Sequence, residues 1–130
     1  MTRLPFEYAV LRVVPRMERG ELVNAGVVLY CPGADFLGAA VALDEQRVRA
    51  LDPDVDVAMV TAALAAVVGT CDGSGRAAAE DRGRRFRWLT APRSTMIQPG
   101  PVHTGFTTDP VAELDRLCRV LVAPVPSGEV

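Results

Sequence analysis

The chain has 130 residues, of which 49% are hydrophobic, and its 14 basic and 16 acidic side chains give a net charge of -2. This length suits one domain around one core, and the charge gives no overall attraction to nucleic acid or to anionic membranes. The three cysteines are odd in number and far apart in sequence, which argues against a disulfide framework or a zinc site. With no apolar leader and no apolar run long enough to span a bilayer, the sequence predicts a cytoplasmic protein without membrane contact.

The first third of the chain predicts an antiparallel meander. Residues Phe6 to Val14 alternate in a way that favours a strand buried on much of both faces, one of which carries Tyr8, Val10, Arg12 and Val14. A charged link leads to a second apolar run, Leu22 to Tyr30, so the two strands are expected to form a hairpin. A turn at residues 31–35 then leads into a third strand, Phe36 to Leu43.

The middle of the chain predicts two helices. Asp44 is placed to cap a short helix that runs through Leu51. The Asp52-Pro53-Asp54 segment supplies a capping carboxylate and a proline suited to a first helical turn, so the next helix is expected from there to about Val68. Residues 70–79, which are rich in glycine, predict a mobile loop.

Two more helices are expected in the second half. Residues Glu80 to Leu89 fit either a helix or a strand, and we favour a helix. Asp109 and Pro110 begin a helix that ends near residues 123–124. Its apolar face is formed by Val111, Leu114, Leu117, Cys118 and Leu121.

Strands followed by helices are the pattern of an α+β domain. We therefore predict an antiparallel meander sheet with helices packed on one face, and a further short strand in the proline-rich region after residue 90. The domain is expected to cover residues 1–124, with residues 125–130 as a loose C-terminal tail.

The segment from Ala91 to Gly105 is the first candidate site, because it places many polar groups among prolines and glycines. It is too rich in those residues for a helix or a central strand, which indicates a shaped loop. Its polar side chains are Arg93, Ser94, Thr95, Gln98, His103 and Thr104. Arginine with two adjacent hydroxyls suits a phosphate or carboxylate, and His103 is a candidate catalytic residue for moving a proton. The alternative is that these groups bond to their own loop while His103 fills a gap.

The hairpin link is the second candidate site. Arg16, Glu21 and Asn24 flank it, with the arginines there suited to gathering an anionic ligand. The interruption of an apolar strand by Asn24 favours this interpretation, because a buried amide must be hydrogen-bonded. The alternative is a solvated hairpin tip whose surface ion pairs contribute little stability.

A third candidate site is the basic run at residues 82–87. Arginines interleaved with Phe86 and Trp88 suit single-stranded nucleic acid, which combines phosphate charge with bases that stack on aromatic rings. The alternative, which we favour, is that Phe86 and Trp88 are core anchors and the arginines form a solvated face.

Familiar catalytic signatures are absent from the sequence. It contains no G-x-S-x-G, H-E-x-x-H, Walker A or dinucleotide-binding glycine pattern. With a single histidine a zinc site is disfavoured, so we predict neither a metal nor a cofactor, and a Ser94–His103 dyad is the one nucleophilic arrangement that the sequence leaves conceivable.

Three stretches of the chain resemble the pattern of one family. They are Tyr8 to Arg12, Glu21 to Leu29 with its E-x-V-N-x-G spacing, and Arg93 to Gly105 with S-T-x-x-Q-P-x-P-V-H-T-G. Together they resemble a small single-domain bacterial family of unassigned function, whose genes often lie beside one for a HipA-like serine/threonine kinase. The resemblance implies a kinase as partner and implies no mechanism, because the family has no established activity.

Three hypotheses of function follow. The first is an accessory or regulatory protein that binds a HipA-like kinase through residues 93–105 and 16–24. The second is a small enzyme or binder of a phosphate-bearing ligand, in which Arg93 with Arg12 or Arg16 clamps the anion, Ser94 and Thr95 donate, and His103 acts as acid or base. The third is a single-stranded nucleic-acid module based on residues 84–88.

Overall fold

The strand β1 (Leu4–Val13) lies in the middle of a five-stranded antiparallel sheet. On one side it pairs with β2 (Val23–Cys31), which in turn pairs with β3 (Phe36–Val41). On its other side two short strands follow each other, β4 (Ile97–Pro99) beside Leu11–Val13 and β5 (His103–Thr107) beside Leu4–Tyr8. The predicted meander is confirmed, and the proline-rich segment supplies two edge strands, the place in a sheet where proline is tolerated.

Four α-helices complete the fold in this computed structural model, which describes residues 2–75 and 79–125. They are α1 (Glu45–Leu51), α2 (Val57–Cys71), α3 (Arg82–Leu89) and α4 (Pro110–Leu121). The α+β class and the antiparallel sheet are confirmed. The expected extent of the domain and its loose tail remain predictions, because residues 126–130 lie outside the described residues, as does part of the loop expected at residues 70–79.

The helices are divided between the two faces of the sheet, and the prediction that they pack on one face is wrong. The first three pack on the face of β1 that carries Ala9, Leu11 and Val13, while α4 packs on the opposite face over β2 and β3. The physical reason lies in β2, where both faces of the strand are apolar and need cover. Ala25 forms a β-bulge there, because Leu11 pairs with Gly26 and Arg12 with Asn24.

Aspartate caps begin all four helices, with one correction to the prediction. The carboxylates of Asp44, Asp81 and Asp109 accept backbone N–H bonds in the first turns of α1, α3 and α4. The prediction that Asp52 starts α2 is wrong, since Asp56 caps that helix and α2 begins at Val57. Asp52 is buried, and its carboxylate accepts from the backbone N–H of Asp54 in a turn that precedes the helix.

Two apolar side chains expected in the core are exposed. Phe86 is fully buried between α3 and the sheet, but Trp88 is 60% exposed. Val111, assigned to the buried face of α4, is also exposed, while Leu114 and Leu117 are buried as expected. None of the described helices is both long and apolar enough to cross a bilayer.

Candidate functional site

An open groove of about 300 Å³ runs between α2 and the β4 edge of the sheet. We call it the Trp88 groove. Its α2 wall carries Met59, Ala63, Ala66 and Thr70, residues spaced so that they share one side of the helix. The two alanines leave room there that larger side chains would fill. Its remaining lining is Leu11, Val67, Trp88, Leu89, Arg93, Thr95, Met96, Ile97 and Pro99.

Trp88 and Arg93 form one end of the groove. The Arg93 guanidinium lies over the indole ring, 4.8 Å from its centroid. The same guanidinium donates hydrogen bonds to the backbone carbonyls of Trp88 and Ala91, at the C-terminal end of α3. Arg93 therefore stacks on the indole and also bonds to the backbone at the end of α3, where the Trp88 carbonyl accepts a further hydrogen bond from the Ala91 nitrogen. Met59, which is 57% exposed, extends the apolar surface on the α2 side.

A polar row crosses three strands on the α4 side of the sheet. Arg12 on β1 pairs with Asn24 on β2 and with Gln98 on β4, so the three side chains point to the same face at cross-strand spacing. We call these residues the Arg12 row. Each of them is half-buried, because α4 covers β2 and β3 and leaves this part of β1 partly open. The row joins all three segments that carried the family resemblance.

Arg12 and Asn24 are placed by different contacts. The Asn24 side-chain amide donates to the carbonyl of Leu121, 3.1 Å away, at the end of α4. The Arg12 guanidinium lies against Gly100, where an added Cβ would be 3.0 Å from Cζ. Arg12 Nε is buried without a hydrogen-bond partner, and it is the one such side-chain atom among the described residues. The site therefore contains a charged group whose hydrogen bonding is incomplete.

His103 lies farther along the same face. It pairs with Tyr8 across β1 and β5, and the two ring centroids are 5.3 Å apart with planes tilted by 34°. Its side chain is exposed, so it does not fill a gap in the core. Thr104, the next residue, points to the other face and pairs with Glu7.

The structure separates the polar side chains predicted to share one site. Met96 bonds to Val14 at one end of β1, with its carbonyl 2.7 Å from the Val14 nitrogen, whereas His103 pairs with Tyr8. Six residues of extended strand separate these positions, about 20 Å. Arg93, Ser94 and Thr95 lie near the first position, so they are far from His103. No Ser94–His103 dyad is assembled in the described part of the chain, because β4 and β5 follow β1 in extended form.

The charged residues of the hairpin link are engaged in ion pairs. Arg16 is 3.5 Å from buried Asp52, which ties the hairpin link to the turn before α2. Glu21 pairs with Arg19, and that hydrogen bond lowers the pKa of the exposed Glu21 carboxyl. Neither side chain is joined to Asn24, whose partner is the α4 terminus. Within this candidate site, Arg16 and Glu21 therefore form ion pairs, whereas Asn24 binds the end of α4.

The basic run on α3 is largely paired as well. Arg84 lies 3.5 Å from Glu80, and Arg87 makes a two-pronged bond of 3.0 and 2.9 Å to Glu7 of β1. Arg85 donates to the carbonyls of Thr70 and Cys71 at the end of α2. Arg85 and Arg87 hold α3 to α2 and β1, and the pairing of these three arginines leaves less free positive charge than the sequence pattern indicates.

The three cysteines are free thiols, and two of them, Cys31 and Cys71, are buried. Burial raises the pKa of Cys71 to about 12 and also raises that of Cys118, so both thiols are held in the neutral form. Within residues 2–75 and 79–125, no three His, Cys, Asp or Glu side chains come together as metal ligands.

The part that Met59 plays in the groove and the exposed position of Trp88 were not predicted from the sequence. Helical periodicity contains the signal for Trp88: Phe86 and Leu89 are three residues apart and share a face, which turns Trp88 away from them. Nothing in the sequence indicated that α2 would approach the β4 segment, so the groove depends on tertiary packing.

In a comparison with family models, residues 8–122 match the family described as protein of unknown function (DUF3037). Neither curated proteins nor solved structures gave a match. The matched region includes the Trp88 groove and the Arg12 row. The chain belongs to the DUF3037 family of proteins of unknown function.

Proposed function

We propose that this protein is an accessory binding protein and that the Trp88 groove receives an apolar segment of a partner protein. The observation that carries the proposal is the exposure of Trp88 beside Met59 over an open groove. A solvent-exposed indole held by a stacked arginine is the kind of anchor that dominates protein interfaces, because it loses little conformational entropy on binding.

The partner we propose is a HipA-like serine/threonine kinase. This choice rests on the family resemblance of the sequence, and the groove supplies a surface that such a partnership needs. The kinase contact that we propose is formed by Arg93, Thr95 and the helices beside them. It does not include the rest of the 93–105 segment or the hairpin. The exposed ion pairs of the hairpin offer less binding energy than an apolar groove.

Trp88→Ala tests this proposal in a binding assay with a HipA-like kinase encoded in the same genome. The expected result is at least about a thirtyfold loss of affinity, since removal of a central aromatic anchor costs about 2 kcal/mol or more. Phe106→Ala is a matched control, because Phe106 is equally exposed at 60% and also stacks with an arginine, Arg3, at 5.4 Å.

Phe106 lies beside Pro5, about 20 Å along β1 from the groove residue Leu11, so its loss is expected to leave kinase binding unchanged. Equal losses in both variants would show that the groove is not the contact. If the unaltered protein forms no complex with the kinase at micromolar concentration, the kinase proposal is wrong.

A further inference from the structure

We propose a second site, independent of the Trp88 groove, in which Arg12 binds the phosphate group of a small ligand. It lies on the α4 side of the sheet, and its members are Arg12, Gln98 and Gly100. The kinase proposal does not require this site, and the site does not require the kinase.

The first argument is charge. Arg12 makes neither an ion pair nor a side-chain hydrogen bond with any residue in the described ranges, although it is half-buried. By contrast, Arg16, Arg87 and Arg116 each have a carboxylate partner. A partly buried guanidinium without counter-charge is unfavourable, and a bound anion removes that cost.

The second argument is position. Gly100 has no side chain, and this leaves the space in which the guanidinium lies; an added Cβ would be 3.2 Å from both Nε and Nη2. The Gly100 backbone is itself fixed by a 2.7 Å hydrogen bond from its nitrogen to the Val10 carbonyl. Arg12 Nε is buried, whereas the terminal nitrogens are not among the buried unpartnered atoms. The terminal nitrogens, which make no hydrogen bond with the described residues, are therefore not fully enclosed by the protein.

The third argument is the chemistry of the neighbours. The side chains paired with Arg12 are the neutral amides of Gln98 and Asn24, and neither repels an anion. Glu7, the acidic residue of β1, points to the opposite face and is bound by Arg87. An arginine fork beside an amide donor suits the tetrahedral oxygens of phosphate, and Gln98 lies at the cross-strand distance of about 5 Å that one anion can bridge.

Titration with inorganic phosphate, followed by NMR through the Arg12 Nε–Hε signal and the Gln98 and Gly100 amide signals, tests the site. The expected result is a saturable shift with phosphate and none with chloride at equal ionic strength. Arg12→Met keeps an unbranched apolar stem and is expected to weaken binding about tenfold or more, read from the two amides. Arg47→Met is the matched control, because Arg47 is exposed on α1 and its loss changes the net charge equally.

Gln98→Glu provides a second variant that keeps Arg12. It places a carboxylate beside the guanidinium, so phosphate binding is expected to be lost while the fold is retained. Phenyl phosphate distinguishes the source of the anion: tighter binding than inorganic phosphate, with shifts at Tyr8 and His103, indicates a phosphate ester, and equal affinity indicates the free anion. The proposal is overturned if phosphate gives no saturation, if Arg12→Met and Arg47→Met respond alike, if Gln98→Glu still binds, or if acetate binds as well as phosphate.

Discussion

The two faces of β1 differ in how completely they are covered. Ala9, Leu11 and Val13 are fully buried under α1 to α3, whereas Val10 and Arg12, on the other face, are only half-buried. Val10 and Val13 are the same residue type in the same strand. Their different burial comes from the position of the helices, since α4 packs on β2 and β3 and leaves part of β1 uncovered. The covered face supplies stability, and the open face retains polar groups that a ligand can reach.

The two arginines that the sequence suggested as one anion clamp show the same contrast. Arg93 is satisfied by the Trp88 ring and by two backbone carbonyls at the end of α3. Arg12 has no partner in the described residues for its charge. One therefore positions an aromatic side chain for a protein contact, and the other remains free for an anion.

The largest loss of stability is expected from a truncation in the core on the covered face of β1. Phe86→Ala removes a fully buried ring and is expected to lower the free energy of unfolding by about 3–5 kcal/mol. Trp88→Ala, two residues away on the exposed side of α3, is expected to cost less than about 1 kcal/mol. Urea denaturation of both variants measures the difference. Similar losses in the two variants would mean that Trp88 belongs to the core.

Alkaline pH is expected to lower the free energy of unfolding through Cys71, which is buried on the covered face. Burial raises the pKa of this thiol to about 12 in the folded protein, above its ordinary value of 9.0. Stability is therefore full below pH 9.0 and falls as pH rises toward about 12, because the unfolded chain loses the proton first. At about pH 10.5 the loss is about 2 kcal/mol. Across this range, the unfolding free energy of Cys71→Ala should fall less steeply with pH than that of the unaltered protein. Parallel curves for the two proteins would contradict the raised pKa of Cys71.

A smaller effect is expected at Gly100 on the open face. A serine there places a hydroxyl near Arg12 Nε, which has no acceptor among the described residues, while an alanine adds the same Cβ without a hydroxyl. Gly100→Ser is therefore expected to be more stable than Gly100→Ala by about 1 kcal/mol. Thermal denaturation of the pair measures the difference. Equal stability would indicate that Nε already has an adequate partner.

The smallest effect is expected at His103. Its ring is exposed and contacts Tyr8, so His103→Ala is expected to cost about 0.5 kcal/mol, the low end of the range for aromatic pairs. Removal of a buried core residue would cost about 1–3 kcal/mol instead. A melting curve distinguishes the two values, and a loss in the larger range would assign His103 a structural role.

Much of the secondary structure could be predicted from local patterns. The capping signals at Asp44 and Asp109, the periodicity of residues 80–89 and the alternation of β1 placed three helices and the central strand. The start of α2 was misplaced because Asp52 and Asp56 carry the same capping signal in sequence. Only the tertiary structure distinguishes them, since Asp52 is buried beside Arg16 and in the Asp54 turn.

The candidate sites were predicted as residue types and not as an arrangement. The sequence identified Asn24, Gln98, Arg93 and His103 as polar groups in apolar or proline-rich surroundings, but it grouped the last three in one candidate site and assigned Asn24 to another. Strand pairing joins Asn24 and Gln98 through Arg12, and places Arg93 in the groove on the other face. Two-residue alternation along a strand assigns neighbours to opposite faces only once the strand and its register are known.

By itself, the sequence determined the local elements, because caps, proline positions and apolar periodicity act within a few residues of the chain. The tertiary structure decided which helix covers which face, that Trp88 is exposed and that Arg12 has no ion-pair partner within residues 2–75 and 79–125. Those properties depend on contacts between residues far apart in sequence, such as Asn24 with Leu121 and Arg12 with Gly100, which no local pattern encodes.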